Sequence, residues 1–265
     1  MEDTMPHTAS PGRLAIMAAL PKELEGLAQA MGPTVTVQTV AMRDFYLGEI
    51  AGQPCVVVLS RIGKVAAATT TTILIERFGV TGVIFAGLAG GIHPSVGIGD
   101  IVVASSLVQH DLDARPLFPR YEVPLLGRSH FAPDPALSQL LHAHSEGFLA
   151  ELCAEDAPLA AGGRTPRAHR GAIATGDIFV SDAGAGADIH GRLPDVLCVE
   201  MEGAAMAQVC YESGVPYAVM RVISDHADPS ATEHFADFLQ HKAGRYTCGV
   251  LARLMESRAT QLTPW

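Results

Sequence analysis

The sequence lacks the features that mark several large classes of protein. No run of lysine or arginine stands out, and 18 basic residues are outnumbered by 28 acidic ones, which gives a formal net charge of −10. Nucleic-acid binding through phosphates needs a basic face, and an acidic surface is repelled by anionic lipid. The composition therefore predicts a small-molecule partner, and neither nucleic acid nor a membrane.

Long apolar runs and a cysteine framework are also missing. No apolar stretch approaches the ~20 residues that span a bilayer, and the first dozen residues hold no apolar signal-peptide core. The five cysteines are scattered without a CxxC pair, so neither a disulfide framework nor a zinc knuckle is predicted. We expect a reducing, cytoplasmic location, a flexible N-terminal tail over residues 1–12 and a single domain over residues 13–265.

What the chain does contain is material for one thick core, since 48% of its residues are hydrophobic and only 17% are charged. Continuous apolar runs at 14–19 and 83–86 are typical of strands buried on both faces. Because strands alternate with helical patterns, the sequence predicts a single-domain α/β protein, with three α/β/α layers around a central twisted mixed sheet. Further strands are predicted at 34–41, 44–49, 54–60, 101–104, 171–175, 196–200 and 217–223, and helices at 65–77, 135–146, 201–212 and 235–256.

Three clusters of polar residues each follow an apolar strand. Glu23 is predicted in the first turn of a helix after the first strand, Glu200 and Glu202 follow a later strand, and Arg221 and Asp225 end another. Ligands bind at the carboxyl ends of strands in open α/β sheets, and charge placed there costs desolvation energy unless it is paired or used. Three such clusters predict one shared pocket whose carboxyl groups are available for acid–base chemistry.

Each feature also has a structural interpretation. Glu23 could complement a helix dipole, Glu200 and Glu202 could form a solvated edge, and Arg221 could form an ion pair with Asp225. The histidines lack metal-ligand spacing, so no metal is predicted. The glycine-rich residues 87–91 contain neither GxGxxG nor a P-loop; they predict a turn whose backbone approaches a ligand or another chain closely.

Five segments, in their order and approximate spacing, resemble the 5'-methylthioadenosine/S-adenosylhomocysteine nucleosidase family of the nucleoside phosphorylase superfamily. They are SRIGKVAA at 60–67, AGLAGG at 86–91, ATGDIFV at 174–180, VEME at 199–202 and RVISD at 221–225. The resemblance covers residues 14–256. It implies a nucleoside phosphorylase-like fold, an N-ribosyl hydrolase that releases adenine from 5'-methylthioadenosine or S-adenosylhomocysteine, no cofactor, and a homodimer.

Carried over residue by residue, the resemblance implies the catalytic roles. Asp225 would donate a proton to N7 of the purine, and Ser224 would orient its carboxyl group. Glu23 would act as general base on the attacking water, with help from Arg221. An oxocarbenium-like transition state needs this combination of a protonated acid at the leaving group and a carboxylate near the sugar. Glu202 would bind the ribose hydroxyls.

The same resemblance implies the substrate-binding residues. Phe179 would stack on adenine, the Val180 backbone would contact the adenine edge, Met201 would pack on the sugar, and Phe235 would cover the 5' substituent. Gly90 would face adenine, and the binding set is completed by Ile178, Glu200 and Leu88. Leu88 stands where the family usually has serine, and the segment 109–118 is implied to lie near the subunit interface.

Hydrolysis is favoured over phosphorolysis because the positions that bind phosphate in related phosphorylases hold Phe85, Leu88 and the Lys22–Glu23 pair. A carboxylate there repels phosphate and can accept a proton from water. Three alternatives stay open. They are a sibling nucleosidase for another 5'-modified nucleoside such as futalosine, a phosphorylase, and a nucleoside-binding module without catalysis.

Overall fold

The computed structural model describes residues 12–155 and 164–261. Apart from its last residue, the predicted N-terminal tail lies outside the described residues. The strands are β1 Arg13–Ala18, β2 Thr36–Val40, β3 Arg43–Ile50, β4 Gln53–Leu59, β5 Val80–Gly91, β6 Ile101–Gln109, β7 His130–Phe131, β8 Ala168–Thr175, β9 Val196–Glu200 and β10 Tyr217–Asp225. The helices are α1 Leu27–Ala30, α2 Lys64–Phe78, α3 Pro135–Glu155, α4 Ala183–Arg192, α5 Gly203–Ser213, α6 Ala231–His241 and α7 Ala243–Gln261, and a 3-10 turn spans Pro21–Leu24.

The strands of the described residues form one mixed sheet in the order β10-β6-β8-β9-β5-β1-β4-β3-β2, with β7 beside β6. Strand β10 also pairs with β5 in parallel, so β5, β10, β6, β8 and β9 close into a ring. Strand β1 runs parallel to both β4 and β5, whereas β6 and β10 are antiparallel. The predicted mixed sheet is therefore confirmed.

Apolar side chains cover both faces of this sheet. Leu141 and Phe148 of α3 pack with Leu254 of α7 on one face. Leu74 of α2 packs with Met206 of α5 on the other. This arrangement confirms the three α/β/α layers. No helix in the described parts of the chain is long and apolar enough to cross a bilayer.

The turn predicted at residues 87–91 is wrong, because β5 continues through all five of them. Gly87 pairs with Arg221 of β10, and Gly90 and Gly91 pair with β9. A Cβ atom on Gly87 would lie 2.3 Å from Nη1 of Arg221. The glycines thus allow buried charged side chains to lie against the sheet, which is a packing role and not a turn.

Three helix predictions also differ from the structure. The predicted helix at 235–256 is two helices, because Lys242 between α6 and α7 has non-helical backbone angles; α6 packs on β10 while α7 packs on α3. Helix α3 continues beyond residue 146 to Glu155, and α4 was not predicted. The Asp182 side chain caps α4 by accepting a hydrogen bond from the Ala185 N–H at 2.9 Å, a start signal readable from the sequence.

Candidate active site

A cavity of about 320 Å³ opens at the carboxyl ends of β1, β9 and β10. Four carboxyl groups from separate parts of the chain reach it, together with apolar and aromatic side chains. Arg221 and Ser224 lie behind its wall. The lining residues are Ala19, Leu20, Glu23, Ile62, Leu88, Ala89, Gly90, Phe179, Glu200, Met201, Glu202, Asp225 and Phe235.

The Glu23 carboxylate lies in the 3-10 turn that follows β1 and is held by three backbone N–H groups. Those of Ala19 and Leu20 donate to Oε2 at 2.9 and 2.7 Å, and that of Leu88 donates to Oε1 at 3.0 Å. Burial raises the pKa of Glu23, while Arg221 and the three N–H groups act in the opposite direction. The result is a fixed, buried carboxylate whose affinity for a proton is increased.

The guanidinium group of Arg221 forms ion pairs with two buried carboxylates. Nε of Arg221 donates to Oε2 of Glu200 at 3.1 Å, and Nη2 forms ion pairs with Glu200 and, at 3.5 Å, with Glu202. The guanidinium also lies over the Phe85 ring at 4.3 Å. The alternative of an Arg221–Asp225 ion pair is therefore wrong: the structure directs Arg221 toward the glutamates.

Glu200 and Glu202 differ in what their carboxylates can still bind. Glu200 accepts hydrogen bonds from the Thr175 hydroxyl and the Gly203 N–H at Oε1, and from the N–H groups of Glu202 and Gly203 at Oε2. These donors and Arg221 occupy it. Glu202 accepts from one backbone group, the Gly63 N–H at 3.0 Å, and burial together with the charge of Glu200 raises its pKa. Glu202 is thus the carboxyl group of the pair left to face a ligand.

Asp225 ends β10 against the glycine-rich part of β5. The Ser224 hydroxyl donates to Oδ2 at 2.7 Å and the Ala227 N–H donates to Oδ1 at 2.9 Å. Burial raises the pKa of Asp225, against the effect of these two donors. A Cβ atom on Gly90 would lie 2.9 Å from Oδ1, so glycine lets the carboxyl group lie close to the sheet.

Two aromatic rings meet at the cavity. Phe179 is 42% exposed, and its ring centroid lies 5.6 Å from that of Phe235 in an edge-to-face arrangement. Its neighbours Ile178 and Val180 line a separate cavity of about 230 Å³, together with His110. Of these three consecutive residues, Phe179 alone lines the larger cavity.

Thr175, Gly63 and Ile62 lie in segments that resemble the nucleosidase family, but the sequence assigned none of them a role at the site. Thr175 ends β8 beside Glu200, where its hydroxyl donates to Glu200 and accepts from the Ala204 N–H at 2.8 Å. Its place after an apolar run resembles that of many core threonines, and its place in the segment 174–180 does not indicate a bond to Glu200. Within the described residues, no group of three or more His, Cys, Asp or Glu side chains is arranged to hold a metal ion.

Comparison with known proteins agrees with this geometry. The family model described as the phosphorylase superfamily matches residues 13–255. The 5'-methylthioadenosine/S-adenosylhomocysteine nucleosidase of Anoxybacillus flavithermus is 38% identical over 231 residues, 87% of this chain and 92% of the relative. The chain belongs to this nucleosidase family.

Solved structures extend the relationship to nucleosidases with bound ligands. The Neisseria meningitidis 5'-methylthioadenosine/S-adenosylhomocysteine nucleosidase in complex with methylthio-immucillin-A has a TM-score of 0.80 and 31% identity, covering 92% of this chain and 99% of that one. The native futalosine hydrolase of Helicobacter pylori has a TM-score of 0.78 and 29% identity, covering 93% and 98%. Proteins with different named substrates thus share the fold of this nucleosidase family member.

Proposed function

We propose that this protein hydrolyses the N-glycosidic bond of 5'-methylthioadenosine, S-adenosylhomocysteine or both, releasing adenine and the 5-thio-substituted ribose. One observation carries the proposal. Glu23, Glu202 and Asp225, each with a pKa raised by burial, line one cavity of about 320 Å³. Cavities of this size enclose small molecules, and the carboxyl groups supply an acid and a base around one sugar.

The proposed reaction breaks the bond between C1' of ribose and N9 of adenine. The bonding electrons move into the purine as the Asp225 carboxyl group gives its proton to N7, so that adenine leaves as a neutral molecule. Water attacks C1' of the oxocarbenium-like sugar and loses its proton to Glu23. Ser224 orients the acid, and Arg221 supplies positive charge behind Glu23 and Glu202. Acid–base help of this type contributes about 10²–10⁴-fold to the rate.

The remaining side chains are proposed to bind substrate. Glu202 accepts hydrogen bonds from the ribose hydroxyls, and Met201 packs on the sugar. Phe179 stacks on adenine and Phe235 covers the 5' substituent, which agrees with their places at the cavity. The other proposed contacts are made by Gly90 and the Val180 backbone with the base, by Leu88 with the sugar, and by Glu200 indirectly through Arg221 and Glu202. Ile178 lines the separate cavity of about 230 Å³, so no direct contact with the base is proposed for it.

The site favours water over phosphate as the nucleophile. The Glu23 carboxylate accepts a hydrogen bond from the N–H of Leu88. A negative charge therefore lies at the position where a phosphorylase needs positive charge to bind phosphate. Phe85 is buried under Arg221, and that guanidinium is already engaged by two glutamates. No lysine or arginine is among the described residues that line this cavity, so a phosphate dianion bound there would meet carboxylates without a cation on the cavity wall to balance its charge.

The test measures adenine release from 5'-methylthioadenosine by chromatography, first in phosphate-free buffer and then after phosphate is added. Release that is unchanged by phosphate supports a hydrolase. A ribose 1-phosphate product that forms only with phosphate identifies a phosphorylase and contradicts the proposal. Futalosine belongs in the same assay, because a futalosine hydrolase is among the similar structures; cleavage of futalosine alone would replace the proposed substrates. Tight binding of 5'-methylthioadenosine, S-adenosylhomocysteine and futalosine without cleavage of any of them would indicate a binding module.

We also propose a cytoplasmic homodimer. Large apolar side chains are exposed at three places, with Val65 79%, Leu117 83% and Leu125 93% exposed. Val65 is the second residue of α2, and Leu117 lies in the segment 109–118, which the family resemblance implies to lie near a subunit interface. A mass near twice 27.9 kDa by light scattering would support the dimer, and a monomer at micromolar concentration would contradict it.

A further inference from the structure

A second cavity of about 470 Å³ adjoins the candidate active-site cavity, here called the nucleoside cavity, since Ala19, Leu20 and Ile62 line both. Glu23, Glu202 and the other carboxyl groups of the candidate active site line only the first cavity. A substrate whose base and sugar occupy the first cavity can therefore reach the second only with a group that extends beyond the sugar. The second cavity is also lined by Pro21, Met42, Arg43, Asp44, Tyr46, Leu59 and Arg61.

Arg43 and Arg61 both line this second cavity, and neither forms an ion pair with a carboxylate of the described residues. Arg43 donates to the carbonyl oxygens of Ala41 at 2.9 Å and Ser60 at 3.3 Å, and Arg61 donates to that of Met42 at 2.5 Å. No carboxylate in the described residues lies within ion-pair distance of either group. Burial and the charge of Arg61 together lower the pKa of Arg43. In a chain with a net charge of −10, two such cations facing one cavity favour an anionic ligand group.

A negative charge lies on the same wall. The Asp44 carboxylate accepts a hydrogen bond from the Thr39 hydroxyl at 2.6 Å and lines the cavity beside Arg43 and Tyr46. A carboxylate retains acceptor capacity after one such bond. Two guanidinium groups and a carboxylate at one cavity match the two charges of an α-amino acid, whose carboxylate pairs with arginine and whose ammonium pairs with aspartate.

The backbone conformation of Arg61 is a further argument for a functional role of its side chain. Its φ angle is +70°, in the left-handed region that is sterically unfavourable for a residue with a Cβ atom. Glycine adopts this region without that steric conflict. Residues with a bulky side chain in this region are concentrated at functional sites. Arg61 fits this pattern, because its side chain lines the second cavity, where it can contact a ligand.

We propose that Arg43 and Arg61, together with Asp44, bind the α-amino-acid end of a 5'-thio substituent that extends from the nucleoside cavity. This subsite makes S-adenosylhomocysteine a better substrate than 5'-methylthioadenosine, whose methyl group cannot reach it. The inference rests on the proposed function, but it concerns the end of the substrate remote from the bond that is cleaved.

The experiment measures kcat/KM for S-adenosylhomocysteine, 5'-methylthioadenosine and the neutral 5'-butylthioadenosine with wild-type protein and Arg61→Gly. Glycine suits the local backbone, so the variant should fold. Ala51→Gly is the matched control, because Ala51 also has a positive φ angle, of +50°, and lines neither cavity. We expect Arg61→Gly to lower kcat/KM for S-adenosylhomocysteine about fivefold through KM, the size of one partly exposed charged contact. The two neutral substrates and the control should change less than twofold.

Two results would overturn the inference: an equal loss for all three substrates, or no loss for S-adenosylhomocysteine. A wild-type protein that releases adenine from none of them would instead contradict the proposed function. In that case, calorimetric titration with S-adenosylhomocysteine decides on the subsite. Binding that is about fivefold weaker to Arg61→Gly than to wild type supports it, and equal binding rejects it.

Discussion

The hydroxyl group of Ser224 donates a hydrogen bond of 2.7 Å to Oδ2 of Asp225. This bond favours the ionised carboxylate and so lowers the pKa of Asp225, while burial, the larger influence, raises it. The same oxygen of Ser224 lies 3.3 Å from the carbonyl oxygen of Ala89. When Asp225 carries a proton on Oδ2, it can donate to Ser224, and the serine hydroxyl can then donate to Ala89. The pair can therefore satisfy either protonation state of the acid.

Replacement of Ser224 by alanine should raise the pKa of Asp225, because the bond that stabilises its ionised form is lost. The acid would then stay protonated to higher pH, and the alkaline limb of the kcat/KM profile should move upward. Loss of orientation should lower the rate at neutral pH about tenfold. The kcat/KM pH profiles of wild type and Ser224→Ala test this. Ser138→Ala is the control, because the Ser138 hydroxyl is also buried but has no hydrogen-bond partner in the described residues. An alkaline limb that does not move would exclude a positioning role for Ser224.

Substitution of Asp225 by asparagine should reduce turnover at least about 10²-fold, and Glu23→Gln should do the same. Each change removes a proton donor or acceptor with little change of volume. Asp188→Asn is the control, because the Asp188 side chain is 67% exposed and pairs with Arg192 on the surface of α4. Steady-state adenine release gives the rates, and circular dichroism checks the fold. Near-normal turnover by both active-site variants would refute the assigned roles.

Glu23→Gln should also change how stability depends on pH. The pKa of Glu23 is raised in the folded protein above its ordinary value of 4.5, so the folded state binds a proton more tightly than the unfolded state. In the wild type, the free energy of unfolding contributed by this group therefore falls as pH rises from about 4.5 through the folded pKa. Glutamine does not titrate, so the variant should gain stability relative to wild type between pH 5 and pH 8. Urea unfolding at both values measures the gain, with Glu76→Gln on the exposed side of α2 as control; a constant difference would contradict the raised pKa.

Gly87→Ala should lower both activity and stability. The added methyl group would lie 2.3 Å from Nη1 of Arg221 and 2.9 Å from Oε1 of Glu23, and such overpacking costs about 1–3 kcal/mol. Gly147→Ala is the opposite case, because Gly147 lies within α3 and its Cβ would meet nothing within 4 Å. That variant should be more stable by about 0.5–1 kcal/mol with unchanged turnover. Thermal unfolding and adenine release of the two variants provide the comparison, and equal effects would show that Gly87 has no special contact.

Local pattern was sufficient for most of the fold. Apolar runs gave β1 and β9 nearly to the residue, and the placement of charge after them identified Glu23 and the two glutamates. The prediction was wrong where the local structure depends on pairing or packing with residues distant in the sequence. The five residues of 87–91 extend β5 because β10 and β9 pair with them, and no local sequence signal reports that pairing. The end of α6 at Lys242 likewise depends on packing against separate elements.

The site shows the same division. Residue types at strand ends indicated carboxyl chemistry, but they did not indicate which carboxylates share Arg221. The choice between Asp225, four residues away, and Glu200, 21 residues away, is made by the ring of strands that sets β9 beside β5 and β5 beside β10. Gly63 contributes a backbone N–H, which no side-chain pattern can reveal.

The ring formed by β5, β10, β6, β8 and β9 has a consequence for how this protein can diverge. Each of these strands is paired on both sides, so the frame that holds Asp225 on β10 beside the glycines of β5 is fixed by backbone hydrogen bonds at both edges of every strand. The residues proposed to lie near the 5' end of the substrate, including Leu20, Ile62, Arg61 and Phe235, lie on turns and helices outside the ring. Substitutions at these positions can therefore change which 5' substituent is accepted, while Asp225 and the strands that hold it stay unchanged.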